Sequence, residues 1–110
     1  MAKANVILIV ATECTPVDEA RFNKWYNEVH IPMIMKYKGV VKATRYQLAG
    51  EAKGQSKYLA IYEYADMKSF QGMSSSKEVK AALEEMQQSW KGADFLKWSA
   101  AYEPIKAFER

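Results

Sequence analysis

The stretch Val6 to Ala11, VILIVA, is apolar at every position and rich in β-branched residues. Such a run predicts a β-strand, over residues 5–12, that is buried on both faces. The sheet that holds it must then be covered front and back. The chain has 110 residues, enough for one core and not two. Residues 1–110 therefore read as a single domain whose sheet needs more cover than the chain can supply. The same run is too short for a signal-peptide core or a membrane span, and no other stretch approaches the ~20 apolar residues of a spanning helix. The expectation is no membrane partner and a cytoplasmic location.

The remaining elements fall between clear punctuation. In TPVDEARFNKWYNEVH, Thr15 is placed to cap a helix, Pro16 to sit at its first position and Asp18 at its third. Phe22, Trp25, Tyr26 and Val29 recur at helical spacing. Pro32 disfavours helical geometry at Ile31, so the helix should end or kink near His30, with a further turn stopping at Gly39. VVKATRYQLAG and SKYLAIYEYAD read as strands joined by the polar, glycine-containing link GEAKGQ. MKSFQGM reads as a short helix capped by Asp66. Ser75 and Glu78 form a capping signal ahead of KEVKAALEEMQQSW, which should end near Gly92. FLKWSAAYEPIKAFER closes the chain as a strand bent at Pro104.

The order is βαββαβ, and the predicted fold class is α+β: a ferredoxin-like, four-stranded antiparallel sheet with the helices on one face. The third strand places Tyr58, Ala60, Tyr62 and Tyr64 on one side and Leu59, Ile61 and Ala65 around Glu63 on the other. The last strand opposes Phe95, Ser99 and Ala101 to Leu96, Trp98, Ala100 and Tyr102. Neither strand has a polar face. Self-association through the open sheet face, as a homodimer, is the economical way to cover it.

Charge and cysteine content narrow the function classes. The formal net charge is +3, with Lys and Arg scattered. That describes a solvated surface rather than a nucleic-acid footprint, so no nucleic-acid partner is expected. Cys14 is the single cysteine, so no intrachain disulfide forms, which fits a reducing compartment. There is no glycine-rich phosphate loop, nucleophile elbow or metal-spaced Cys/His set. The reading is no metal and no cofactor.

At this point FNKWYNEVHIPMIMKYKGVVKATRYQL resembles the EthD-like group of the dimeric α/β-barrel superfamily. The resemblance lies in W-Y-x-x-x-H-I-P at the end of the first helix, then a glycine, then a strand carrying Arg45-Tyr46. It implies two ferredoxin-like monomers pairing their sheets into a barrel, each with a ligand pocket between sheet and helices. It also implies activities such as cofactor-free monooxygenation, polyketide cyclisation, lactone isomerisation or haem degradation, alongside members without known activity. Fold alone does not choose among these. The chain departs from cyclases that use more than one histidine, and from haem-degrading members that carry a histidine in the second half of the chain.

His30, the only histidine, follows Tyr26 by four positions and Phe22 by eight, on the apolar face of the helix. It reads either as a helix-end histidine bonding terminal carbonyls or as a catalytic acid–base in a half-buried pocket. A metal or haem role has no second ligand to support it. Tyr26, Tyr58, Tyr62 and Trp90 are candidate substrate-binding residues, or simply core aromatics. Arg45 reads first as an ion pair with Glu63 and second as an anchor for a substrate carboxylate or enolate. Strand parity leaves open which of Arg45 and Tyr46 faces the helices, so both are candidates. The functional expectation is a cofactor-independent enzyme acting on a small apolar or aromatic carbonyl compound by His-mediated proton transfer. The alternative is a non-catalytic ligand-binding or stress-associated dimer of the same fold.

Overall fold

The computed structural model describes residues 5–110. Strand β1 (Val6–Thr12) is followed by a 3-10 turn (Pro16–Asp18), helix α1 (Glu19–Trp25), a π-helical turn (Tyr26–His30) and helix α2 (Ile31–Ile34). Strands β2 (Val40–Gln47) and β3 (Tyr58–Tyr64) come next. Helix α3 (Met67–Gly72), a 3-10 turn (Met73–Ser75), helix α4 (Lys77–Ser89) and strand β4 (Leu96–Tyr102) complete the chain. The strands form one antiparallel sheet in the order β2-β3-β1-β4. This is the predicted ferredoxin-like α+β arrangement, with the doubly apolar β1 at an interior position where both its edges are paired.

Side-chain alternation sorts the sheet residues. Tyr58, Ala60, Tyr62 and Tyr64 of β3 are all buried. They lie opposite Thr12, Val10, Leu8 and Val6 of β1, and these rows form the helix-covered face. Ile9 lies between Ile61 and Ala100, and Ala11 between Leu59 and Trp98, on the other face. There Tyr46, Trp98 and Tyr102 are about half exposed, at 52%, 42% and 54%.

Phe22 ties the two layers together. Its ring is fully buried and sits 5.3 Å from Tyr26, 5.9 Å from Tyr58, 5.9 Å from Trp90 and 5.2 Å from Phe95. Those neighbours come from the first helix, the sheet, the end of α4 and the approach to β4. Ring centroids at these separations, mostly edge-to-face, are the favoured geometry for aromatic pairs.

Four local expectations change. First, of the two outcomes expected near His30, an end or a kink, the helix does not end. The chain widens into a π turn, with the Ile31 N–H bonding Tyr26 O, and continues to Ile34. A proline inside an α-helix removes one hydrogen bond and crowds the carbonyl four residues back, and a π turn relieves that crowding. Second, the cap of α4 is Ser76, whose Oγ accepts from the Val79 N–H at 3.0 Å, while Ser75 Oγ donates to Gly72 O. Thr15 likewise makes no backbone cap; its hydroxyl donates to Asp18 Oδ2. Third, a register shift between Ala11 and Thr12 pairs Thr12 with Leu96 rather than the next residue in phase, which turns Leu96 to the helix side. Fourth, β4 stops at Tyr102, short of Pro104, and the tail beyond it is exposed. Asp66 caps α3 as expected, accepting from the Ser69 N–H at 2.8 Å.

Because Phe22 has no exposed surface to reclaim, Phe22→Ala should cost about 3–5 kcal/mol of stability. Urea unfolding should show the loss as a lowered midpoint; a shift below about 1 kcal/mol would contradict the central role of this ring.

Candidate active site

Between the sheet, the π turn with α2, and helix α4 lies a cavity of about 310 Å³. Tyr26 and His30 come from the π turn, Tyr62 and Tyr64 from β3, and Trp90 from the end of α4. Leu8 and Val10 of β1, with Val79, Leu83 and Met86 of α4, make most of the remaining wall apolar. Gln87, Asp94 and Ser99 add polar groups. Pockets of this size, apolar with a few placed polar groups, are the usual form of small-molecule sites.

The sequence candidates divide. His30, Tyr26, Tyr62 and Trp90 come together on the cavity wall. Tyr58 is buried but turned away from it. Its hydroxyl donates to Glu19 Oε2 at 2.6 Å, beside the Glu19–Lys57 ion pair at 2.5 Å. Tyr46 stands on the open sheet face. Arg45 is on the helix side, but it does not pair with Glu63. Register places Arg45 opposite Ala60 and Glu63 opposite Lys42, so the two side chains leave opposite faces of the sheet. Arg45 instead donates to Asn27 Oδ1 at 2.9 Å and Asn23 Oδ1 at 2.8 Å. Its guanidinium lies 4.5 Å from the Tyr26 ring centre, a cation–π contact behind the cavity wall.

Val79, Leu83, Met86 and Trp90 were not singled out together from sequence as a wall. Their spacing of four, three and four residues was the available signal, since it puts them on one face of α4. Leu96 escaped because its inward direction depends on the β-bulge, which has no signature in the local sequence.

The π turn brings the two polar wall groups close. The His30 and Tyr26 ring centres are 5.2 Å apart, and the imidazole stacks on Trp25 at 4.7 Å with the planes 24° apart. Only 6% of His30 is exposed, and its Nδ1 is sealed in without a hydrogen-bond partner. Trp90 Nε1 is orphaned in the same way. Each such atom costs on the order of 1–3 kcal/mol, and exceptions of this kind concentrate where function requires them. Burial drives the His30 pKa down to about 4, opposed only by Glu85. That carboxylate is engaged elsewhere, by Trp25 Nε1 at 2.8 Å and by Ser89 Oγ.

The tyrosines are held neutral. Burial raises Tyr26 and Tyr62 and lifts Tyr64 to about 12. Tyr64 donates to Met73 Sδ at 2.8 Å. At neutral pH the wall therefore presents an uncharged imidazole and uncharged phenols in apolar surroundings. Among the described residues no group of three His, Cys, Asp or Glu is placed to hold a metal ion, and no helix is long and apolar enough to cross a membrane.

Residues 5–101 match the family described as Domain of unknown function (DUF4286). The chain belongs to the DUF4286 family. No curated protein matches the sequence. Among solved structures it is similar to an EthD family protein from Bacillus halodurans C-125. That pair shares 24% identity over 92% of this chain and 99% of the other, with a TM-score of 0.72. HapK from Hahella chejuensis is similar at 11% identity, over 96% of this chain and 97% of its own, with a TM-score of 0.69. SnoaB from Streptomyces nogalater, a cofactor-independent oxygenase, shares 11% identity over 96% of each chain, with a TM-score of 0.59. The DUF4286 chain thus has the fold of the EthD-like, dimeric α/β-barrel proteins that the WYxxxHIP segment resembles.

The buried imidazole sets an acid limit on stability. Unfolded, His30 binds a proton near pH 6.5; folded, only near 4. Stability is therefore unaffected above about pH 6.5 and falls as the pH drops towards 4, by up to roughly 3 kcal/mol. Urea midpoints between pH 7 and 4 should show this acid loss in the wild type and a smaller one in His30→Gln. Parallel curves for the two proteins would refute the buried, neutral imidazole.

Proposed function

We propose that this DUF4286 protein is a cofactor-independent enzyme that takes a small apolar or aromatic carbonyl compound into the cavity. Proton exchange with His30 is its chemical step. The observation that carries the reading is the imidazole itself. It is the chain's only histidine, nearly buried, and set beside Tyr26 on the wall of a mostly apolar cavity. Imidazole is suited to proton exchange, and Tyr26 and Tyr62 supply hydroxyls to hold an oxyanion as it develops. The likeness in fold to a cofactor-independent oxygenase supports a monooxygenase type of reaction, alongside cyclisation or isomerisation of the same class of compound. Arg45 acts from behind Tyr26 in this reading, as a positioning residue rather than a substrate anchor. The location proposed is the cytoplasm.

The functional unit proposed is a homodimer. Trp98, Tyr102 and Tyr46 leave a broad apolar area on the open sheet face, and contiguous patches of this kind mark association surfaces. Sedimentation equilibrium should give a dimer for the wild type and a monomer for Trp98→Asp. A monomeric wild type would remove the pairing.

Turnover decides the reaction. Ring ketones and hydroxyquinones, offered in air without added cofactor, should be converted, as followed by oxygen uptake and absorbance. His30→Ala and His30→Asn should lose at least about 100-fold while keeping the fold, the scale of a positioned proton-transfer group. Unchanged turnover in either variant would sink the catalytic role of His30. Saturable binding with no turnover in the wild type would favour the ligand-binding alternative.

A further inference from the structure

The two nitrogens of His30 are in different situations, and the difference fixes what the ring can offer a ligand. Nδ1 is sealed from solvent and has no hydrogen-bond partner, while the residue as a whole lines the cavity. The ring is packed against the Trp25 face on one side and the Tyr26 edge on another. A sealed N–H with no acceptor is rarer and more costly than an under-used lone pair. The proton of the neutral ring therefore belongs on Nε2.

The charged groups around the ring do not alter this. From α4, Glu85 is the carboxylate that acts on His30, and its two oxygens are taken by Trp25 Nε1 and Ser89 Oγ. From the sheet, Tyr62 and Tyr64 face the same cavity, both kept neutral by burial. Arg45 stands behind Tyr26, engaged by Asn23 and Asn27. Asp94 is on the exposed part of the lining.

We propose that His30 is locked as the Nε2–H tautomer and, with the Tyr26 hydroxyl, donates hydrogen bonds to an acceptor oxygen of an apolar ligand. The ligand class is then a ketone, quinone or phenolate and not an arylamine, whose lone pair is drawn into its ring and accepts poorly. This inference rests on the reading above for the ligand's place in the cavity and assigns the direction of its key contact. His30 begins as a donor that polarises a carbonyl, in the manner open to a neutral imidazole, rather than as the base. Tyr26 fits the same role. Its ring stands 5.2 Å from the imidazole on the same cavity wall, and burial keeps its hydroxyl protonated.

The test needs no substrate. In 15N-labelled protein, two-bond correlations from the ring carbons' protons report which nitrogen carries the proton, and the only histidine is assigned without a variant. The expected result is a pyrrole-type Nε2 and a pyridine-type Nδ1, unchanged from pH 8 to pH 5.5. An Nδ1–H tautomer, or a mixture of the two, overturns the proposal and leaves the cavity reading standing, with His30 restored as the base. The ligand half is tested with 1-tetralone and 1-aminonaphthalene as probes. Tetralone should shift Nε2 saturably with little effect on Nδ1, and the amine should not. Equal shifts from both, or none from tetralone, overturn the ligand class. Absent turnover with these signals intact counts against the enzyme reading alone.

Discussion

The structure depends on one fully desolvated ring. Phe22 touches the first helix, the sheet, the end of α4 and the segment entering β4. No other side chain among the described residues is shown joining all four regions through ring contacts. Aromatic rings are rigid plates, and plates meeting edge to face fill a junction well but leave space beside it. The cavity lies beside this junction, and Tyr26, Trp90, Met73 and Met86 all line it. The same packing that stabilises the layers thus shapes the pocket.

Burial then controls the chemistry. An imidazole at the ordinary pKa would be partly charged near neutral pH and would draw water or a carboxylate towards it. Here burial disfavours the charged ring, and the nearest carboxylate is held by an indole and a serine. The tyrosines follow the same rule with the opposite sign, since burial disfavours the phenolate. Around the imidazole the wall then offers neutral donors, whose hydrogen bonds discriminate between acceptor and non-acceptor ligands. Arg45 stays outside this wall because its charge is satisfied by two asparagines and a ring face. Those groups solvate a guanidinium without placing a negative charge near the cavity.

Much of this was legible in the sequence, and the reasons are particular. The alternation in Tyr58 to Tyr64 has a period of two and only one way to face a core, so β3 was read correctly. The spacing Phe22, Tyr26, His30 identified the buried helix face, since even a π turn keeps residues four apart on neighbouring positions. The failures lie where a single backbone event shifts a pattern. A bulge at Ala11/Thr12 reverses Leu96, and the π turn carries the helix through Pro32. Arg45 was paired with the wrong partner because pairing depends on register, and neighbouring strands can bring a charge pair to one face or split it across two. For Tyr46 the residue type is visible in sequence and its direction is not; Tyr58 faces the helices as its alternation indicates, but its hydroxyl is taken by Glu19, away from the cavity.

The placement of the three tryptophans has an optical consequence. Trp25 and Trp90 lie 5.8 Å apart with their planes at 71°, close enough for their excited states to couple. Their near-ultraviolet circular dichroism should behave as one chiral pair whose sign and intensity follow the geometry of the junction. Trp98, on the open sheet face and 42% exposed, belongs to a different environment and should emit at longer wavelength until something covers it. The molecule therefore carries two intrinsic reporters that separate spectrally: the coupled pair senses changes inside the layers, and the lone indole senses what happens on the far side of the sheet.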